Sequence, residues 1–392
     1  MESLVVDVYE SRFWIFSLFV VASLSPISRG STRRAALAAL NLLFLAIYLQ
    51  KRAPAVPAAV AVVWCALVAI ERAPKFVSVF VSLGGAVVVL IVFLIHKLKP
   101  LGAESSYGGI NPVLEFIGFS YVALRLIDLG RAVAERRRPA PDICSTINYL
   151  IPFHMLAAGP IQSYDEFVDQ PDVPEPLGFA DSLAAFERIV RGLFKKYVLA
   201  GAIQKIFLTQ FRSSGPYFWL ELQLNYLWLF LDFSAYSDIA VGLGRLTGVA
   251  TPENFNKPYL ARNVIDYWER WHISLSLFIR RNIFVPIQLS LMRATGGRRP
   301  LWIASFAFAV SFTLCGLWHN IGWNWFVWGA YHAAGLIVCN LYKHLLTKRL
   351  GRKGVERYLA NRWIRAAAIV LVYEFVAISL IPVTASLKDW SR

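Results

Sequence analysis

The sequence predicts an all-α, polytopic integral membrane protein of about ten transmembrane helices. Three observations carry that prediction. Apolar residues make up 57% of the 392-residue chain and charged residues only 17%, against soluble averages of roughly 45–50% and about 25%. Mean hydropathy is +0.51. Several stretches run about 20 residues almost without charge, enough to cross a hydrocarbon core of roughly 30 Å as helix. A soluble globule of this size has too little interior for so much apolar surface.

The formal charge of +15 does not indicate nucleic acid. The basic residues sit in short clusters between apolar runs, such as Arg29, Arg33, Arg34 and Arg131, Arg136, Arg137, Arg138, and not along one stripe. That is the Lys/Arg enrichment of cytoplasmic loops. Cys65, Cys144, Cys315 and Cys339 form no CxxC and no Cys/His ligand spacing, so neither a disulfide framework nor a zinc site is implied.

The first twelve residues carry Glu2, Asp7 and Glu10 against Arg12, the reverse of a basic leader, and no small-residue cleavage site follows. The first span opens at Phe13–Ile27. Others follow at 35–50, 55–70 and 76–96, punctuated by Lys51-Arg52-Ala53-Pro54 and Glu71-Arg72-Ala73-Pro74-Lys75. The run 112–130 contains Glu115, Arg125 and Asp128, which at membrane depth must pair with each other or face a polar interior. With the N-terminus outside, the inner loops 29–34, 71–75 and 131–138 hold nine Lys/Arg, and the outer segments (the N-terminus, 51–52 and 97–99) hold five. The asymmetry favours that orientation.

Residues 139–180 contain seven prolines. An amphipathic helix is expected over 181–212 and a long aromatic-rich span over 217–248. The stretch 252–299 is too polar to span and too aromatic for a plain loop, so interfacial or re-entrant helices surrounded by protein are expected there. Apolar spans resume at 300–318, 323–346 and 364–383. The whole reads as one membrane-embedded domain, with N-terminal spans over 1–138 and a core over 139–383. Gly244 and Gly248 have the spacing of a small-residue helix contact.

Intramembrane ionisable groups are functional candidates. His96 and His344 lie beside lysines at span ends and read as interfacial, and His154 lies in a Pro-flanked turn and reads as structural. His272, read on a helix, shares one face with Trp268, Trp271, Leu275 and Ile279. It either projects from that aromatic face or anchors the helix by a hydrogen bond. His319 ends an apolar span among Gly316, Trp318, Asn320 and Gly322, where partial desolvation disfavours its charged form and leaves a neutral base. His332 either faces the same cavity or packs a helix. Asp232 and Asp238 are buried carboxylates in need of partners. GxSxG, Walker A and HExxH signatures are absent, as is the HxxxxD spacing of lipid-precursor acyltransferases. Polar residues at membrane depth also suit a transporter or flippase, although no internal repeat supports one.

Four segments, taken in order, resemble the membrane-bound O-acyltransferase family. They are Ala158-Gly-Pro-Ile-Gln-Ser-Tyr-Asp-Glu-Phe167, Asp232-Phe-Ser-Ala-Tyr-Ser-Asp-Ile-Ala240, Asn254-Phe-Asn-Lys-Pro-Tyr-Leu-Ala261 with Tyr267-Trp-Glu-Arg-Trp-His-Ile-Ser-Leu275, and Gly316-Leu-Trp-His-Asn320 with Trp328-Gly-Ala-Tyr-His332. The resemblance covers about 150–383 and points to the bacterial branch that modifies exopolysaccharides and cell-wall polymers. It implies helices around a central channel, His319 as the catalytic residue and His272 in a supporting or substrate-orienting role. Asn320, Trp318, Trp268, Trp271, Tyr236, Asp238 and His332 become substrate-binding candidates.

The implied reaction moves an acyl group, acetyl before D-alanyl, from a cytoplasmic thioester to an extracytoplasmic hydroxyl. The donor would be acetyl-CoA or an acyl carrier protein, with no bound cofactor and no metal. A periplasmic acyltransferase partner and residence in the bacterial inner membrane are implied too. Two departures stand out. The family's usual glycine after the catalytic histidine is Asn320, and its Arg-Asp-Tyr continuation reads Arg281-Asn-Ile-Phe-Val-Pro-Ile-Gln288, with Gly296-Gly297 displaced.

Overall fold

The computed structural model describes residues 10–27, 30–49, 55–82, 84–85, 119–171, 177–208 and 217–383. Most of the expected span 76–96 lies outside them, as do His96 and Glu115. Every regular element among the described residues is helical. Their one β-type contact is an antiparallel bridge between Phe255 and Trp271. Three helices are long and apolar enough to cross a membrane, Gly30–Leu49, Pro300–His319 and Arg362–Val383, and they match the expected spans at 35–50, 300–318 and 364–383. The described residues do not establish the count of ten.

The chain forms two compact units, Met1–Arg191 with Tyr236–Pro252, and Gly192–Ala235 with Glu253–Arg392. In the first unit, α1 (Ser11–Leu24) buries Phe13, Phe16, Val20 and Leu24 while Ile15, Leu18 and Phe19 stay exposed. A helix that presents apolar side chains on both faces suits a lipid surround. Phe16 packs at 5.2 Å from Phe44 of α2 (Gly30–Leu49) and at 5.7 Å from Phe153. Then come α3 (Ala55–Arg72), α4 (Phe119–Ala134), α5 (Ile143–Leu150, capped by Asp142), α6 (Tyr164–Val168, with a Ser163/Glu166 capping box) and α7 (Phe179–Leu193).

Arg125 and Asp128 of α4 both serve the loop that follows α5. Arg125, with no exposed surface, donates from Nη2 to the carbonyls of Met155 (3.2 Å) and Pro160 (2.9 Å). Asp128 accepts from the Tyr164 N–H at 2.8 Å and the Tyr149 hydroxyl at 3.3 Å. A guanidinium and a carboxylate thus satisfy backbone that water would otherwise solvate. The polar interior expected around them is this turn.

Two local expectations are corrected. The amphipathic helix over 181–212 holds as α7 to Leu193, after which the chain winds as π-helix over Phe194–Ala200 and Ile203–Leu208. Gly244 and Gly248 end a helix and do not join two. They close α8 (Phe218–Thr247), where Val249 donates to the Gly244 carbonyl at 2.8 Å and Gly248 takes a φ of 68°, the left-handed cap that glycine adopts without strain. The close helix contact belongs to Gly242, whose missing Cβ leaves room for Ile189 and the Ala185 carbonyl of α7. The expected span 217–248 matches α8, whose residues from Tyr236 onward belong to the first unit.

In the second unit, the stretch expected to be re-entrant is a chain of short helices: α9 (Val264–Trp268), α10 (Ile273–Ile279), a π-helical turn over Arg280–Phe284, and α11 (Val285–Ala294). The long helices α12 (Pro300–His319), α13 (Trp323–Ala360) and α14 (Arg362–Ser379) follow. A left-handed break at Gly351 (φ 65°) interrupts α13, which runs well past the expected end at 346.

Candidate active site

The α12–α13 hairpin builds the site. Pro300 starts α12 at a position where its missing N–H costs nothing, and His319 is its last residue. Asn320 turns extended (φ −161°), although its N–H still bonds the Gly316 carbonyl at 3.3 Å. Gly316 and Gly329 lie face to face. A Cβ on Gly316 would strike the Trp325 carbonyl and come within 3.1 Å of the Gly329 Cα, and one on Gly329 would strike the Phe312 carbonyl. Backbones approach this closely only where side chains are absent. Trp325, Trp328 and His332 share a face of α13 by the i, i+3, i+7 rule, and the glycine contact brings that face to the end of α12.

The His319 ring is boxed by indoles, with Trp318 at 4.8 Å, Trp325 stacked at 5.1 Å (27° between planes) and Trp328 edge-on at 5.4 Å. His319 and Trp318 are half-buried and Asn320 is exposed. The imidazole therefore sits at the rim of an aromatic cluster, reachable from outside it.

His332 lies deeper, 1% exposed, 4.6 Å from Trp328 and 5.2 Å from Trp268. Trp268 donates from Nε1 to His332 Nδ1 at 3.3 Å, so that nitrogen carries no proton. His332 thus lies among these indoles and accepts the bond that holds Trp268.

His272 departs from the single helix expected across Trp268–Ile279. α9 stops at Trp268, and Asn256 N–H bonds the Arg270 carbonyl at 2.9 Å while Ile273 N–H bonds the Asn254 carbonyl at 3.0 Å. This brief strand-like pairing replaces the helical bonds, and His272 takes a left-handed conformation (φ 44°, ψ 53°) ahead of α10. Non-glycine residues hold that conformation only where the surroundings impose it. Asn254 imposes it here. Its Oδ1 accepts from Ser274 Oγ at 2.6 Å, from Ser274 N–H at 3.4 Å and from His272 Nδ1 at 3.3 Å.

Nδ1 is thus the protonated nitrogen. Nε2 is buried with an open lone pair and no hydrogen-bond partner. The Phe233 ring stands edge-on at 4.8 Å. Burial, and secondly the charge His319 would carry, push His272 down to about 3, which places the two imidazoles within electrostatic reach of each other.

Trp271 stacks on Tyr267 at 5.8 Å and meets Phe255 at 5.1 Å, while Trp268 meets Phe312 at 4.8 Å. Both indoles are buried. Tyr236 and Asp238 are committed within the first unit. The Tyr236 hydroxyl accepts from the Ala158 N–H and donates to the His154 carbonyl, each at 3.2 Å, and Asp238 pairs with Arg188 at 3.1 Å. Asp232 pairs with Lys196. Among the described residues no three His, Cys, Asp or Glu side chains converge on a metal position. Sequence reasoning missed Trp325, Asn254 and the Gly316–Gly329 contact as parts of the site. The i, i+3, i+7 spacing of Trp325, Trp328 and His332 was the available signal.

The family described as MBOAT, membrane-bound O-acyltransferase, matches over residues 3–380. The chain is 26% identical over 319 residues to the teichoic acid D-alanyltransferase of Streptococcus thermophilus, 76% of each chain. It is 30% identical over 273 residues to the probable alginate O-acetylase of Azotobacter vinelandii, 65% of this chain and 52% of that one. With the peptidoglycan O-acetyltransferase of Helicobacter pylori it shares 31% over 203 residues, 50% of this chain and 37% of that one.

Proposed function

Since the chain belongs to the membrane-bound O-acyltransferase family, we propose that it transfers an acyl group from a cytoplasmic thioester to an extracytoplasmic hydroxyl, with His319 as general base. The observation that carries this reading is the placement of His319, half-buried in a box of three indoles at the end of an apolar helix long enough to cross a bilayer. A basic imidazole nitrogen of His319 takes the proton of the attacking hydroxyl as its oxygen bonds to the thioester carbonyl carbon. The tetrahedral intermediate collapses, the C–S bond breaks, and the imidazolium returns the proton to the departing thiolate. One ester and one thiol result. General-base work of this kind contributes roughly 10²–10⁴-fold, and positioning of an already activated thioester supplies more.

His272 cannot donate to the oxyanion from Nε2, because its one proton is on Nδ1, toward Asn254. Its open lone pair suits it to accept from the acceptor hydroxyl and so orient it. The exposed Asn320 amide, or nearby backbone N–H groups, is left to stabilise the oxyanion. Trp268, Trp271 and Trp318 wall the reactants from water.

The acyl group we favour is acetyl, destined for an exopolysaccharide or wall glycan of a bacterium whose inner membrane holds the protein. The donor is acetyl-CoA or a carrier-protein thioester, and a periplasmic partner completes delivery. D-alanyl transfer is the second reading, favoured by the 76% reciprocal coverage of a teichoic acid D-alanyltransferase. Purified protein incubated with each thioester and an acceptor glycan tests both, with mass spectrometry of the product identifying the acyl group. His319→Ala should abolish transfer while helical content is unchanged. Retained transfer removes the base assignment, and absence of thioester turnover by the unsubstituted protein favours a carrier over an enzyme.

A further inference from the structure

In the second unit, residues 343–365 hold eight Lys/Arg against one acidic residue, Glu356. All eight cations are exposed, and none forms an ion pair among the described residues. Because α12 and α13 form a hairpin, about 30 Å of helix on each side brings Lys343 level with Pro300, where Arg298 and Arg299 add two more cations. The turn at the opposite end, Asn320–Gly322, holds no charged residue. So lopsided a distribution marks the cytoplasmic ends of spans, where the leaflet presents anionic headgroups.

The segment has a defined shape as well as a charge. At Gly351 (φ 65°) the chain doubles back. The hydroxyls of Tyr342 and Tyr358 lie 2.8 Å apart, although a continuous helix would separate the two residues by about 24 Å. Beyond the break, Val355, Tyr358 and Leu359 share one helix face by the i, i+3, i+4 rule, and Arg352, Lys353 and Arg357 fall on the other. The apolar face is incompletely covered, since Leu359 is 52% exposed. Trp363, 71% exposed at the start of the membrane-length helix α14, has the Arg362 guanidinium 5.1 Å from its ring centre. Tethered between α13 and α14, these cations and apolar side chains stay at the level of the headgroups, which favours a lipid surface over an acidic protein.

We propose that residues 343–365 dock on the anionic headgroups of the leaflet that borders them, with Arg352, Lys353 and Arg357 on the phosphates and Leu359 and Trp363 at the acyl boundary. The docking does not depend on the acyl-transfer reading. The test uses the full chain in a background lacking the four native cysteines, with Leu359→Cys carrying a fluorophore. It is reconstituted in vesicles of phosphatidylcholine alone or of phosphatidylcholine with phosphatidylglycerol. Quenching by a lipid spin-labelled in its upper acyl chain reads contact, and native mass spectrometry reads the lipid retained.

Phosphatidylglycerol should increase the quenching and be retained over phosphatidylcholine. That preference should fall at least tenfold in the triple variant Arg352→Gln, Lys353→Gln, Arg357→Gln. The three side chains are exposed, so their replacement opens no core cavity. Molar salt should remove the preference without any of these substitutions, which keeps the test open if the triple variant fails to fold. Equal quenching and retention with either lipid, or a phosphatidylglycerol preference unchanged in the triple variant, overturns the proposal. So does retention of an acidic acyl carrier protein, lost in the triple variant, without any lipid preference, an outcome that assigns the surface to a protein.

Discussion

At the residue scale, the conformation of His272 makes its function separable from its fold. The left-handed backbone at φ 44° disfavours alanine and suits asparagine, which visits that region more readily than most residues. His272→Asn should therefore fold, lose the Nε2 acceptor, and show a raised KM for the acceptor with thioester KM unchanged; steady-state kinetics against each substrate separates the two. Asn254→Leu leaves the Ser274 N–H and His272 Nδ1–H unpaired, at about 1–3 kcal/mol each. It should lower the unfolding midpoint as well as the rate.

His154 and His272 also govern the acid response. Both sit near 3 in the folded chain against roughly 6.5 unfolded. The native state thus binds fewer protons, and stability is full above about pH 6.5 and lost as pH falls toward 3. Each should cost about 2 kcal/mol between pH 7 and 5. Thermal unfolding across that range should show the loss, and His154→Phe should reduce it by about 2 kcal/mol.

At the element scale, the Gly316–Gly329 contact sets where His319 stands. An added methyl at either position has no room, so α12 and α13 must separate, and overpacking of this kind costs roughly 1–3 kcal/mol. Gly316→Ala and Gly329→Ala should each cut acyl transfer at least tenfold while His319 itself is untouched. The double variant should fall short of additivity, because one displacement accommodates both methyls. Midpoints and kcat/KM for the three variants check this. Were Gly329→Ala to leave the rate unchanged, the hairpin contact would not be what positions the base.

At the scale of the whole molecule, nine Lys/Arg on the loops 29–34, 71–75 and 131–138 against five on the other side predict that those loops face the cytoplasm. In a background lacking the four native cysteines, Ser31→Cys should react with a membrane-impermeant maleimide only after the membrane is opened. Labelling of intact cells would reverse the assignment. Each compact unit has its own polar cluster. Arg125, Asp128 and His154 serve the first, whereas His272, His319 and His332 cluster with the indoles of the second.

Hydropathy alone determined the helical class and three membrane-length helices, because an 18–22-residue apolar run has few other stable forms in a bilayer. The ordered motifs around Asn254, His272 and Gly316–His332 carried the family and the candidate base. Tertiary structure decided the rest. Helical spacing placed His272 on one face with Trp268 and Trp271, yet Asn254, eighteen residues earlier, breaks that helix and frees Nε2, a long-range bond that local periodicity does not encode. Tyr236 and Asp238 read as site residues from their motif, but their hydrogen bonds go to Ala158, His154 and Arg188. Which partner satisfies a buried polar group depends on which segments meet in space, and a linear pattern is silent on that.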